Sequence, residues 1–305
     1  LAGRDNDLTG KVEEAMTEIK IRKLNPAFGL EVTGVDPRTP LDAETCATLR
    51  KLFDESGLLL FRDMDADFRF QTYLSEILIG NEVADPDALE LTTCYISNKD
   101  PAGAAPFGRL LYHSDQMWSS TDRVDLLSLY GEQVEQPATP TLFVSAVHAW
   151  DTLPEDLRAR VKDRLALQRY DIDTYKKRSA GDPDVLVSTY AGGDAFVVTP
   201  IAYPHPRTGR TILYVCQQTT QKIEGVSADE SDELIDALLD HMYAPGNEYA
   251  HPWRQGDLVI WDNLTLQHAR PNVATSGPAR ILRKTLAPLP RSAARPSYAA
   301  LEAAR

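Results

Sequence analysis

Cysteine is scarce in this chain: three among 305 residues, Cys46, Cys94 and Cys216, widely spaced and odd in number. That excludes a disulfide framework and a C-x-x-C metal site. Positive charge is also in deficit, with 32 lysines and arginines against 45 aspartates and glutamates and a net charge of -13. Such a balance opposes binding to nucleic acid or to an anionic membrane surface, so the expected partner is a small molecule. No apolar run approaches a membrane span, and the opening LAGRDNDLTGKVEEAM holds none long enough for a signal peptide. The expected location is the cytoplasm; a homo-oligomer stays open. Internal repeats and low-complexity linkers are missing too, and a single domain over residues 1–305 is expected.

What is present is a succession of strand patterns interrupted by a few helices. EIKIRKL and LEVTGVD read as strands, and LDAETCATLRKLFDESG reads as an amphipathic helix with Asp42 near its N-cap and Gly57 at its end. LLLFRD is a strand and residues 66–79 a helix; LELTTCYIS, LLYHSDQMW and DLLSLYGEQVE are strand-like. AVHAWDTL and PEDLRARVKDRLAL predict helices, AFVVTPIAY and TILYVCQ flank the turn PHPRTGR as a hairpin, and ADESDELIDALLDHMY predicts another helix. GDLVIWDN, LTLQHAR and ARILRKTLA close the pattern as strands. Regular βαβ alternation is absent, which favours a mainly β sandwich or jelly roll with flanking helices. Residues 171–194 are polar and glycine-bearing, a long loop that reads equally as an active-site lid or as plain surface disorder.

Histidine is rare as well, with six residues. His113 and Asp115 stand one residue apart in LLYHSDQMW, and in an extended strand they would project from one face and could share a metal. An isolated H-x-D is also what a strand end with a solvated Asp looks like. For a third ligand, His148, His241 and His251 fall in helices or polar loops, and His205 lies in a hairpin turn where exposure is expected. His268 follows an apolar strand, a tight turn and the start of a second strand, a setting that would also suit a core histidine.

The run GDLVIWDNLTLQHAR resembles the C-terminal signature of the taurine dioxygenase (TauD/TfdA) family of Fe(II)- and 2-oxoglutarate-dependent dioxygenases. The resemblance extends in order to LEVTGVDPRTPLDAETCATLRKLFDESGLLLFRD, TLFVSAVHAWDTLP and HPRTGRTILYV. It implies a double-stranded β-helix (jelly roll) core flanked by α-helices, with His113, Asp115 and His268 holding Fe(II), and 2-oxoglutarate and O2 as cosubstrates. Two imidazoles and one carboxylate leave adjacent positions open for a chelating 2-oxo acid and dioxygen. Asp115 also argues for oxygen transfer, since related halogenases carry a small residue in place of this carboxylate.

Strand parity in GPARILRKTLAP puts Arg280, Leu282 and Lys284 on one face and Arg283 on the other. The family's cosubstrate arginine matches Arg280. Thr141 resembles the threonine that contacts 2-oxoglutarate, although Ala138, Thr139 and Pro140 replace the usual Gly-Gly-Asp before it. Lys284 stands where taurine dioxygenase grips the substrate sulfonate with an arginine. Tyr95, Asn98, Met117 and Trp118 are expected to form a largely apolar substrate wall, and Trp261 and Asp262 to brace the turn before His268. No histidine precedes His113, which argues against taurine itself. The expected reaction is oxidation, foremost hydroxylation, of a C–H bond in a small organic acid with a hydrophobic body. The alternatives are a redox-neutral metal-dependent hydrolase or isomerase on the same barrel and a non-catalytic jelly-roll ligand-binding protein.

Overall fold

Leu58–Phe61 and Leu258–Asp262 are apolar at almost every position, and a strand of that kind is stable only where both faces are covered. The computed structural model describes residues 18–83, 94–100, 104–119, 121, 123–171, 178–179, 182–185 and 195–288, and places both runs centrally. In chain order the first elements are β1 (Lys20–Lys23), β2 (Leu30–Thr33), α1 (Ala43–Ser56), β3 (Leu58–Phe61), α2 (Phe68–Leu78), β4 (Cys94–Ser97) and β5 (Gly108–His113). Next come β6 (Leu126–Val134), β7 (Thr141–Ser145), α3 (Ala146–Asp151), α4 (Glu155–Val161), β8 (Leu165–Arg169), β9 (Phe196–Pro200), β10 (Ala202–Pro204), β11 (Thr211–Leu213) and β12 (Thr220–Ile223). The last are α5 (Ala228–Met242), β13 (Glu248–His251), β14 (Leu258–Asp262), β15 (Leu266–Val273) and β16 (Arg280–Ala287).

A seven-stranded sheet in the order β1-β2-β3-β14-β6-β16-β4 faces a four-stranded sheet, β13-β7-β15-β5. Side chains alternate between the sheet's two faces. Leu58, Leu60, Val259, Trp261 and Leu282 join Phe143 and Leu266 of the smaller sheet in one buried cluster between the layers. Phe143 meets Trp261 edge-on across that gap, ring centroids 5.2 Å apart. The intervening residues Leu59, Phe61, Leu258 and Ile260 turn outward to Leu49 and Phe53 of α1 and Leu74 and Leu78 of α2. The result is the expected jelly-roll sandwich with helices on its outer face.

Local chemistry sets the helix ends. Asp42 caps α1 by accepting from Thr45 N at 2.6 Å, and Gly57 ends it in the left-handed region at φ 72°. One expected helix is too long: α4 ends at Val161, and Leu165–Arg169 is instead the central strand of a sheet ordered β12-β8-β9. Pairing on both sides outweighs the helical propensity of Leu165, Ala166 and Leu167. Of residues 171–194, Asp171, 178–179 and 182–185 are described, and the remainder of the proposed lid lies outside the described residues. Val185 forms a bridge to Arg109 on β5, while Arg109 Nε pairs with Asp182 at 2.8 Å.

Candidate active site

His268 on β15 stands directly opposite His113 on β5 and, on its other side, opposite Phe143 on β7. Directly opposed residues share a face of the sheet. Trp261 meets the His268 ring edge-on at 5.0 Å, so this face is the one turned toward the larger sheet. The two imidazole centroids are 4.2 Å apart. His113 Nδ1 lies 2.7 Å from the Leu111 carbonyl, which assigns the proton to Nδ1 and leaves Nε2 as a lone-pair donor.

Asp115 reaches the pair by a different route from the one its spacing suggests. β5 ends at His113, and Asp115 opens a turn running to Trp118 with Gln116 in the left-handed region at φ 58°. Asn263, in the turn between β14 and β15, holds it there. Its Oδ1 accepts from Asp115 N at 2.9 Å, and its Nδ2 donates to Asp115 O and Val124 O, both at 2.9 Å. Asp115 Oδ1 then sits 3.3 Å from His113 Nε2 and 3.7 Å from His268 Nε2, and one donor atom from each residue falls within 4.8 Å of the others. Burial alone would raise the Asp115 carboxyl, but the Lys284 ammonium, the contact with His113 and the neighbouring imidazole of His268 hold it well below the usual carboxylate range. Burial and the adjacent His113 keep His268 well below the usual histidine range, hence neutral and able to donate a lone pair. Two nitrogens and one oxygen on one side of a common centre suit a divalent transition metal and leave the other side open.

Arg280 and Thr141 come together as a second unit. Arg280 is buried, with Nε donating to Thr139 O and Nη2 to Thr141 Oγ1, both at 2.9 Å. Its guanidinium lies over the Trp253 ring at 5.8 Å, and Trp253 Nε1 also donates to Thr141 Oγ1 at 2.9 Å. Two donors occupy the lone pairs of Thr141 Oγ1, so its own proton is left to donate outward. No carboxylate among the described residues pairs with Arg280. Burial, followed by the charge of Arg270, pushes its pKa down to about 9. Thr141 thus stands beside Arg280 although Ala138, Thr139 and Pro140 precede it, and Thr139 supplies a carbonyl to the arginine.

The residues expected to wall a substrate do not all share one face. Lys284 lies on the inner face with Arg280 and Leu282, but its Nζ donates to Asp115 Oδ2, so the metal ligand is its partner. Burial would lower the Lys284 ammonium, and Asp115 outweighs it, so the net shift is upward. Tyr95 is opposite Arg283 in the β4–β16 register and so points to the other face; Cys94 and Ile96, opposite Lys284 and Leu282, take the inward positions. Asn98, expected in the substrate wall, is engaged by backbone, its Nδ2 donating to Ala274 O and Pro278 O and its Oδ1 accepting from Arg280 N. Met117 belongs to the core and, with Asp115, Thr199, Tyr214 and Leu264, also lines a cavity of about 20 Å³. Trp118 is half-buried against Leu111, Tyr170 and Val185.

His205 corrects another expectation. It is 1% exposed, with Nδ1 accepting from Arg207 N and Thr208 N and Nε2 3.0 Å from Asp262 Oδ2. Asp262 Oδ1 in turn accepts from Leu264 N and Thr265 N, confirming it as the brace of the turn. His251 ends a strand rather than sitting in a polar loop, buried against Asp257 at 3.1 Å. Asn263 and Trp253 escaped the sequence reading; Asn263 lies beside the recognised Trp261 and Asp262, whereas nothing in the sequence marks Trp253.

The fold is a jelly roll, and it brings two histidines and one carboxylate together as a group that could hold a metal ion, with a buried arginine that has no carboxylate partner among the described residues. The chain matches the family model "Taurine catabolism dioxygenase TauD, TfdA family" over residues 20–286, and it belongs to that family. It is 29% identical over 290 residues to pentalenolactone F synthase of Streptomyces avermitilis, covering 85% of this chain and 90% of that protein. To the (S)-phenoxypropionate/alpha-ketoglutarate-dioxygenase of Sphingobium herbicidovorans it is 27% identical over 264 residues, covering 81% and 88%. Among solved structures, AAD-2 in complex with Mn(II) and N-oxalylglycine superposes with a TM-score of 0.69 at 24% identity, covering 88% of this chain and 96% of that one. The protein is thus a 2-oxoglutarate-dependent dioxygenase, an oxidoreductase, and the hydrolase and binding-protein alternatives fall away. No helix among the described residues is long and apolar enough to cross a membrane.

Proposed function

We propose that the protein uses Fe(II), held by His113, Asp115 and His268, to hydroxylate a C–H bond in a small organic acid with a hydrophobic body. The observation that carries this reading is Arg280: a buried guanidinium with no carboxylate partner among the described residues, beside the outward-donating hydroxyl of Thr141. An arginine fork and a hydroxyl donor suit the distal carboxylate of 2-oxoglutarate. When bound, iron supplies activation of dioxygen, and the balance is one O2, 2-oxoglutarate and substrate R–H giving succinate, CO2 and R–OH.

The chain's own residues do the remaining work. His268, held neutral by its surroundings, donates a lone pair without releasing a proton at neutral pH, His113 presents Nε2 while its Nδ1 faces the Leu111 carbonyl, and the low pKa of Asp115 keeps its carboxylate charged there. The charge balance supports an anionic substrate. A divalent metal offsets a 2-oxoglutarate dianion and Asp115 offsets Lys284, which leaves the charge of Arg280 over. Lys284 retains two N–H donors beyond the one on Asp115, enough to meet an anion from the substrate side. The named activities of two relatives, on phenoxypropionate and on 2,4-dichlorophenoxyacetate, agree with an acid carrying a hydrophobic body.

The test is to load the protein anaerobically with Fe(II) and 2-oxoglutarate, add a panel of aryloxyalkanoic and alicyclic carboxylic acids, and admit 18O2. The expected result is succinate in step with a product carrying one 18O atom. His113→Ala, Asp115→Ala and His268→Ala should each abolish that turnover. Succinate formation at the wild-type rate by any two of them would refute the metal assignment.

A further inference from the structure

The two oxygens of Asp115 are divided between partners. Oδ1 faces both histidine Nε2 atoms, at 3.3 and 3.7 Å, whereas Oδ2 is taken by Lys284 Nζ. The lysine is fixed in turn. It lies on β16 between two strands, paired to Leu129 of β6 and Cys94 of β4, and its side chain is 18% exposed. Asp115 is held from the opposite side by the Asn263 clamp on its backbone. The carboxylate is therefore restrained at both ends and can present only one oxygen to the histidine side.

We propose that Lys284 is a positioning residue that reserves Asp115 Oδ2, so that the carboxylate gives the metal a single oxygen and the positions needed by 2-oxoglutarate stay open. The inference rests on the metal assignment of the preceding section and adds a role for Lys284 that does not involve the substrate. Its physical basis is competition. A carboxylate released from its ammonium partner is free to turn and offer both oxygens to one cation, and a second oxygen occupies a position a bidentate oxo acid requires. Removing the lysine also removes a positive charge beside the cation. Metal affinity should therefore hold or rise while 2-oxoglutarate affinity falls, a split that general damage to the site would not produce.

The experiment uses the full chain without substrate, under anaerobic conditions. Fe(II) affinity is measured by calorimetry, and 2-oxoglutarate is then titrated into the Fe(II)-loaded protein by the visible charge-transfer band of the iron–oxo-acid chelate. In Lys284→Met the half-saturating 2-oxoglutarate concentration should rise by about tenfold or more, the scale of losing an outer partner of a metal ligand, with Fe(II) affinity equal to or above wild type. Lys284→Gln, which keeps the length but not the charge, should behave as Lys284→Met and serves in its place if that variant does not fold. Lys284→Arg should recover most of the loss. Unchanged 2-oxoglutarate affinity in the folded neutral variants overturns the proposal, as does a matching loss of Fe(II) affinity. A wild-type protein that forms no chelate band would instead refute the metal and cosubstrate assignment itself.

Discussion

A buried guanidinium needs partners for its charge, and Arg280 has a carbonyl, a hydroxyl and the face of Trp253, none of them anionic. Arg283, three residues on, is satisfied within the fold. It donates from Nε to Gln71 Oε1 at 2.8 Å and from Nη2 to Ala66 O at 2.6 Å, pairs with Glu132, and stacks over Tyr130 beneath α2. Arg280→Leu should therefore weaken 2-oxoglutarate binding by about 1.5–3 kcal/mol, the scale of charged hydrogen bonds, with little change in metal affinity. Arg283→Leu should leave the cosubstrate alone and cost roughly 2–3 kcal/mol of stability. Isothermal titration of the anaerobic metal complex and urea unfolding separate the two. The reverse ordering of cosubstrate affinities would mean the inner and outer faces of β16 are misassigned.

At the scale of elements, the turn from β14 to β15 serves both halves of the metal centre. It sends His268 down the next strand, and through Asn263 it holds the backbone of Asp115 on a distant segment. Asn263→Ala removes three hydrogen bonds and leaves the Asp115 N–H and two carbonyls to find other partners. Each group left unsatisfied costs about 1–3 kcal/mol, and metal affinity should fall together with stability. A variant that loses stability yet binds metal as wild type would show that the turn supports only the fold. This clamp also marks where sequence reading stops. Alternation along β16 correctly separated Arg280 from Arg283, because parity is local and Leu282 in the inter-sheet core fixes its sense. Nothing local told which way Tyr95 points, since its register against β16 is a long-range fact. Alternation brought Asp115 toward His113 by the wrong geometry, since the strand ends at His113 and the Asn263 side chain, far along the chain, completes the placement. The strand at Leu165–Arg169 and the burial of His205 were hidden for the same reason: the partners that decide them lie elsewhere in the chain.

For the whole molecule, the fold and the site are joined through Asp262. This residue ends a central strand of the larger sheet, braces the turn with Oδ1, and uses Oδ2 to meet His205 Nε2 at 3.0 Å and Arg207 of the β10–β11 hairpin. Arg207 continues to Asp54 on α1 and lies over Phe53, so one network ties sandwich, hairpin and outer helix. Burial would raise the Asp262 carboxyl, but the hydrogen bond and charge of His205, then Arg207, bring it down to about 2 from an ordinary 3.8. A carboxylate with a lowered folded-state pKa contributes stability that is fully present above the unfolded value and lost as pH falls through the folded one. The contribution, about 2 kcal/mol, should hold above pH 4 and disappear between pH 4 and pH 2. Asp262→Asn should lower stability at pH 7 and flatten the dependence in that acid window, since an amide does not titrate. Urea unfolding of both proteins at pH 7, 4 and 3 measures this directly. If the two stability curves run parallel from pH 4 down, acid sensitivity resides in other carboxylates and Asp262 acts only through its hydrogen bonds to the turn.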